Sequence, residues 1–295
     1  MRNSSPKFAL FGNTFQPEKS LSLLNVLSSL QETNASIAIE HSFYQFIQQN
    51  LHSTFTPDEI INDTKFHANY VISLGGDGTF LKSAEFVGNK GIPIIGINTG
   101  HLGFLADISP NEFQQLLDGL FKGEYTIEKR SVLKISTSKR KLHLYPYGLN
   151  EVSVLKHDNS SMISIRVFVD NNYLNTYQSD GLIISTPTGS TGYALSVGGP
   201  IIMPTSHSLV IAPVAAHSLN VRPFVLNDDS TIRLSVSSRN HNFLIAVDGR
   251  SQSLTEESEI TLRKAPYYIY VVKKYGHDYF DTLRNKLMWG ADKRL

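Results

Sequence analysis

The period of the hydrophobic pattern changes once along the chain, near residue 128, and that change limits the folds open to it. Before it, short apolar runs alternate with helix-like stretches, the pattern of βαβ units built round a parallel sheet. Strands are predicted at residues 8–11, 36–39, 70–74 and 92–97, and helices at 17–30, 43–50, 79–87 and 110–121. The first helix is expected to turn Leu21, Leu24, Leu27 and Leu30 inward. The last, with Ser109 as N-cap, is expected to bury Phe113, Leu116, Leu117 and Leu120. Beyond residue 128, β-branched and alternating segments fall at 132–136, 152–155, 163–169, 181–185, 231–236, 243–247, 260–262 and 267–272, separated by turns such as Asp170-Asn171-Asn172. Short strands at this density indicate an antiparallel, sandwich-like domain. Residues 279–289 return to helical spacing at Phe280, Leu283 and Leu287. The expected architecture is an α/β N-terminal domain with a Rossmann-like parallel sheet, residues 1–129, joined by a C-terminal helix at 277–295. An all-β sandwich-like domain occupies residues 130–276.

Composition narrows the partners. With 41% hydrophobic residues in 295 the chain can bury a real core, which excludes disorder as its main state. Its 27 basic and 26 acidic residues leave a net charge of +1, with no excess for a nucleic-acid backbone or an anionic membrane, so any anion is bound locally. The absence of cysteine excludes disulfides, Cys-held zinc, iron–sulfur clusters and thiol nucleophiles. The ten histidines are scattered without metal-ligand spacing, so no metal held by protein side chains is assigned. No signal-peptide pattern and no run of about 20 apolar residues is found. A cytoplasmic protein acting on small molecules is expected, with neither nucleic acid nor membrane as partner.

Chemistry concentrates in few segments. Gly75-Gly76-Asp77-Gly78-Thr79 stands between a predicted strand and a predicted helix, where backbone N–H groups and a helix N-terminus form a phosphate cradle. It is neither a Walker A loop nor a dinucleotide fingerprint, since no Gly-Lys-Ser/Thr follows and the third glycine position is Leu81. Asp77 is the unusual member. A carboxylate repels phosphate unless it holds a metal through water or takes a proton from an attacking hydroxyl; as a plain turn residue it would cap the next helix. Thr186-Pro187-Thr188-Gly189-Ser190-Thr191-Gly192-Tyr193 groups hydroxyls and glycines beside an aromatic stacking face, suited to a nucleoside or to a plain turn. Asn150-Glu151 and Ser179-Asp180-Gly181 put carboxylates at the starts of two strands, where loops would gather at one end of the β domain and a carboxylate could hold a ribose diol.

Taken in order, these segments resemble the bacterial NAD kinases, which transfer the γ-phosphate of ATP to the adenosine 2′-hydroxyl of NAD. The likeness runs from Gly75–Thr79 through residues 96–105 and 149–152 to Ser179-Asp180-Gly181 and residues 186–200. The first motif is shared with diacylglycerol and sphingosine kinases, and the expected fold is the one common to NAD and diacylglycerol kinases. The resemblance implies Asp77 as catalytic base, with Gly75, Gly76, Gly78 and Thr79 on phosphate. Asn150 and Glu151 would hold the adenosine, the glutamate on the diol, and Thr191, Gly192, Tyr193, Ala194, Leu195 and Ser196 would wrap the base and its ribose. Asp180 would contact NAD, in many relatives from a neighbouring subunit, while Lys82, Ser161, Gln178 and Arg250 fall at further dinucleotide contacts. Gly192 replaces a usual alanine, Arg250 a frequent glutamine, and Ser161 and Gln178 residues that are often basic or histidine. A divalent cation, Mg²⁺ or Mn²⁺, is implied with ATP, as is a homodimer or homotetramer. The competing readings are a diacylglycerol-type lipid kinase, disfavoured by the hydroxyl-rich segment, and a non-catalytic dinucleotide sensor, disfavoured by Asp77.

Overall fold

Apolar runs without polar alternation are buried on both faces, the condition of a parallel sheet, and in the computed structural model of the chain they form one. The structure describes residues 5–14, 20–51, 55–100, 102–139, 141–157 and 161–290. In chain order come β1 (Lys7–Gly12), α1 (Ser20–Gln31), β2 (Ser36–Glu40), α2 (His41–Leu51), β3 (Glu59–Ile61), β4 (Tyr70–Leu74), α3 (Asp77–Val87), β5 (Ile94–Ile97) and α4 (Phe113–Lys122). They are followed by β6 (Tyr125–Thr137), β7 (Tyr147–Gly148), β8 (Glu151–Lys156), β9 (Ile163–Val169), β10 (Asn172–Ser179), β11 (Gly181–Ser185) and the short α5 (Tyr193–Ser196). The chain ends with β12 (Ser208–Val214), β13 (Phe224–Asn227), β14 (Ile232–Ser237), β15 (Asn242–Val247), β16 (Arg250–Thr255), β17 (Ile260–Lys274) and α6 (Tyr279–Leu287). Two units are formed, Met1–Lys129 with Ile269–Leu295, and Arg130–Tyr268.

In the first unit the strand order is β5-β4-β1-β2-β3, all parallel, and the end of β17 adds alongside β5 at Val271 and Ile94. The order reverses direction between β1 and β4, so the carboxyl end of β4 lies at a topological switch point, where open α/β sheets bind ligands. The segment Gly75–Thr79 leaves the sheet there. Helices α1, α2 and α4 cover the sheet through Leu27, Leu30, Phe43, Ile47, Phe113 and Leu117. Helix α4 buries all four residues its spacing predicts, and Ser109 with Glu112 forms a capping box at the 3₁₀ turn before it.

The second unit contains two antiparallel layers, β13-β12-β11-β8-β15-β16 and a group in which β9 joins β10 to β14 and β14 joins β17. Their inner faces share one core that includes Val152, Ile165, Leu182, Leu234, Phe243 and Ile245. Two-residue hairpin turns set the register of β9–β10, with positive φ at Asp170 and Asn171, and of β15–β16, with positive φ at Asp248 and Gly249.

Several elements differ from the sequence expectation. The pattern misses β3, β7, β10, β12, β13, β16 and the short α5, and the predicted strands 260–262 and 267–272 are one strand, β17, that passes through Pro266. Strand β12 carries Pro213, which interrupts the usual signature; β13 stops pairing at Ile211, so the missing N–H falls where β12 has a neighbour on one side only. In α1 the buried face is Leu23, Val26, Leu27 and Leu30, with Leu24 half-buried; residues 17–19 and the Leu21 side chain lie outside the described residues. Phe243 is fully buried in the core of the second unit. Truncating it to alanine is expected to cost about 3–5 kcal/mol in a urea titration; a loss under about 1 kcal/mol would show that the layers do not close on that ring.

Candidate functional site

Helix α3 starts directly after the glycine turn, with Gly76 as N-cap and no side-chain capping bond. Asp77 therefore does not cap the helix. Its carboxylate instead turns to the chain beyond β5: Oδ1 accepts the N–H groups of Leu105 and Ala106, each at 3.0 Å, and Oδ2 accepts that of Phe104 at 3.0 Å. The approach requires a glycine. A Cβ at Gly103 would stand 2.0 Å from Asp77 Oδ1. A carboxylate offers about four acceptor directions, so three amides leave one on Oδ2. The space over Gly76 and Gly78 is open, and the N–H groups of residues 76–78 precede the first bonds of α3, which Thr79 and Phe80 make to Gly76 O. The turn can thus receive a phosphate. Lys82, one turn along α3, is half exposed, with Nζ 3.8 Å from Glu40 Oε1; Glu40 itself ties down Ser42 and Phe43 at the start of α2.

In the second unit Asp248 repeats the same device. Its Oδ2 accepts Leu149 N–H at 2.7 Å, and its Oδ1 accepts the N–H groups of Asn150 and Glu151 at 2.9 and 3.1 Å. Burial raises the Asp248 carboxyl above its ordinary range, against the pull of those three amides and of Arg250. Glu151 is pushed up to about 7, first by burial and then by the charge of Asp248, with the Tyr193 N–H pulling the other way. Glu151 Oε2 and Asn150 Oδ1 are buried and lack a hydrogen-bond partner among the described residues. Gly192 stands over both: a Cβ there would lie 3.1 Å from Glu151 Oε2 and 3.5 Å from the Asn150 amide nitrogen. Tyr193, 38% exposed, offers a ring face next to them. Two buried acceptors beside an exposed aromatic fit a ligand that donates hydroxyls and stacks a flat ring.

In the hydroxyl-rich segment the side chains bond to the main chain around them. Thr186 and Ser190 are buried and donate to the Leu149 and Pro187 carbonyls, and Ser190 also accepts Ile202 N–H. Thr191 and Ser196 donate to carbonyls three residues back, and the Ala194 side chain is fully buried. The hydroxyls hold the loop in shape, and Leu195, half-buried on α5, belongs to the same turn. Arg250 sits at this end too, its guanidinium donating to the carbonyls of Val247 and Tyr147 at 3.1 and 3.2 Å.

The carboxylates of Glu151 and Asp180 do not gather at one end as expected. Strands β8 and β11 are antiparallel neighbours, pairing Glu151 with Ser185 and Leu155 with Gly181, so their starts lie at opposite ends, roughly 13 Å apart along the strands. Asp180 forms an ion pair with Lys156 at 2.7 Å. Gln178 donates to Ser164 on the neighbouring strand, and Ser161 lies just before β9 at that same end. Sequence reasoning missed Asp248 and the amides of residues 104–106, since nothing in hydrophobic periodicity marks a side chain that bonds to distant main chain. The Asp-Gly pair before Arg250 was the available signal. Among the described residues no group of three or more His, Asp or Glu is arranged to hold a metal ion, and no helix is long and apolar enough to cross a membrane.

The likenesses to known proteins cover both units. Residues 15–125 match the ATP-NAD kinase N-terminal domain and residues 149–274 the ATP-NAD kinase C-terminal domain. The NAD kinase of Bacteroides fragilis is 52% identical over 289 residues, covering 98% of this chain and 100% of that protein. That of Porphyromonas gingivalis is 41% identical over 288 residues, covering 98% and 99%. Among solved structures, yeast NADH kinase complexed with NADH has a TM-score of 0.87 at 21% identity, covering 100% of this chain and 91% of that one. An NAD kinase from Archaeoglobus fulgidus in complex with ATP has a TM-score of 0.71 at 24% identity, covering 95% and 99%. These two share the fold. With both domain models matched in order and full-length relatives at 52% and 41% identity, the chain belongs to the ATP-NAD kinase family.

Proposed function

We propose that the chain is an NAD kinase that transfers the γ-phosphoryl group of ATP to the adenosine 2′-hydroxyl of NAD. The observation that carries the reading is the pair of buried acceptors on Asn150 and Glu151 without a partner among the described residues, next to Tyr193, whose N–H bonds Glu151 and whose side chain is exposed, which calls for ribose hydroxyls beside a base. Phosphoryl transfer asks the protein for position and charge stabilisation more than for covalent chemistry. Gly76 and Gly78 offer main-chain N–H groups to phosphate, while the N–H groups of Gly75 and Thr79 are taken by the carbonyls of Ile97 and Gly76 and leave these two residues to shape the turn and, through the Thr79 hydroxyl, to meet the phosphate. The open direction on Asp77 Oδ2 is the one that accepts the 2′-hydroxyl proton as the new O–P bond forms. The divalent cation, Mg²⁺ or Mn²⁺, enters as part of the ATP substrate. Lys82, Ser161, Gln178, Asp180 and Arg250 remain dinucleotide contacts in this reading. Because Ser161, Gln178 and Asp180 gather at the far end of β8 and β11 from Glu151, their contact with NAD is assigned to a second copy of the chain, in a homodimer or homotetramer.

One assay tests the activity: ATP and NAD supplied together, with NADP read by a coupled dehydrogenase. NAD binding without NADP formation would favour a sensor, and phosphorylation of diacylglycerol instead would favour a lipid kinase. Asp77→Asn is expected to lower kcat at least ~10²-fold with KM for NAD within a few fold, and near-normal turnover would remove the base. Glu151→Gln is expected to raise KM for NAD. In the parent protein the diol needs an ionised Glu151, so KM for NAD should fall as pH rises through about 7, and the variant should lose that dependence. Stability has the opposite sign: burial favours the protonated form, so the free protein loses stability as pH rises from 4.5 to about 7. Shared sites are checked by mixing Asp180→Asn and Glu151→Gln chains. Re-assortment into mixed dimers should recover up to about a quarter of parent activity; no recovery would confine each site to one chain.

A further inference from the structure

The mechanism above leaves unused an ion pair that is among the most deeply buried groups of the first unit. Lys273 Nζ lies 2.5 Å from Asp107 Oδ2, with the two side chains 2% and 3% exposed. His277 Nε2 approaches the same oxygen at 3.3 Å. Asp107 directly follows Phe104, Leu105 and Ala106, whose N–H groups hold the Asp77 carboxylate. The base of that loop is fixed to β5: Asn98 N–H bonds Ile108 O, and Ile108 N–H bonds Gly96 O. Among the described residues its tip shows no such ladder and makes the main-chain bond Gly103 N–H to Ala106 O. Lys273 comes from β17, which runs parallel to β5 at Val271 and Ile94.

We propose that Asp107 and Lys273 are positioning residues for Asp77: the buried pair fixes the loop tip, and the loop amides fix the direction in which Asp77 Oδ2 faces the substrate. The proposal rests on the reading of Asp77 as base. Two charges shielded from water are costly to separate, so the pair admits essentially one geometry. Catalysis is sensitive to displacement on the scale of 1 Å, which can cost about 100-fold in rate. The amides that orient Asp77 belong to the three residues before Asp107, so a shift at Asp107 moves all three donors together. Asp107 and His277 line a pocket of about 390 Å³ together with Leu102, Asp281 and Asn285, so a neutral side chain at 107 has space beside it on the side away from Lys273.

The test is a double-mutant cycle in the full-length protein, with kcat and both KM values measured for the parent, Asp107→Asn, Asp77→Asn and the double variant. Asp107→Asn is expected to lower kcat about 10- to 100-fold with both KM values within threefold. In the Asp77→Asn background it should lower kcat by less than twofold, because its effect passes through a carboxylate that is no longer there. A merely structural residue would lower kcat by the same factor in both backgrounds, and that result, or an unchanged kcat in Asp107→Asn alone, overturns the proposal. Normal turnover in Asp77→Asn alone would strike at the base reading instead. If Asp107→Asn does not fold, Asp107→Asn with Lys273→Gln removes both charges while keeping an amide hydrogen bond, and the cycle is run with that pair under the same criteria.

Discussion

A main-chain N–H buried in a loop has no ladder to join and must find an acceptor elsewhere, and this chain meets that requirement twice with the same chemical solution. Asp77 collects the amides of residues 104–106, and Asp248 those of residues 149–151. In each case a single carboxylate, reaching far along the sequence, closes a turn around itself. The first closure aims a carboxylate beside the phosphate turn. The second sets the main chain from which Asn150 and Glu151 project, and adds the charge that helps push Glu151 up to about 7. In both units a carboxylate gathers main-chain N–H groups by charge-assisted hydrogen bonds, with hydrophobic layers beneath.

Each unit carries groups for one part of the proposed reaction. The α/β unit has the phosphate turn at the switch point of a parallel sheet, and the β unit has the acceptors and the ring for a nucleoside. Gly192 is instructive at this second place. Its missing Cβ leaves space next to Glu151 Oε2, so this chain has more room at the acceptor pair than an alanine there would leave. Arg250, which as a sequence position reads as an added cation for the dinucleotide, uses two of its donors on the carbonyls of Tyr147 and Val247.

What was legible in the sequence follows from what burial writes into residue type. Strand β4 and the four core positions of α4 could be read because a strand buried on both faces is continuously apolar and a helix buried on one face repeats every three to four residues. Strand β16, Arg-Ser-Gln-Ser-Leu-Thr, could not, because it lies at a sheet edge and buries only Leu254 fully. The glycine turn and Asn150-Glu151 were found as motifs. Two properties of the site had no local signal: the antiparallel pairing that separates Asp180 from Glu151, and the inward direction of the Thr186 and Ser190 hydroxyls. Both depend on which strand lies beside which.

The first unit is discontinuous in sequence, and this has a consequence for biosynthesis. Chains emerge from the ribosome N-terminus first and domains tend to fold as they appear, yet the buried partner of Asp107 is residue 273, made only after the whole β unit. A nascent or truncated chain that stops short of it has the glycine turn, Asp77 and the loop amides but leaves Asp107 without its cation. In the proposed mechanism, completion of the surroundings of Asp77 is thereby tied to completion of synthesis.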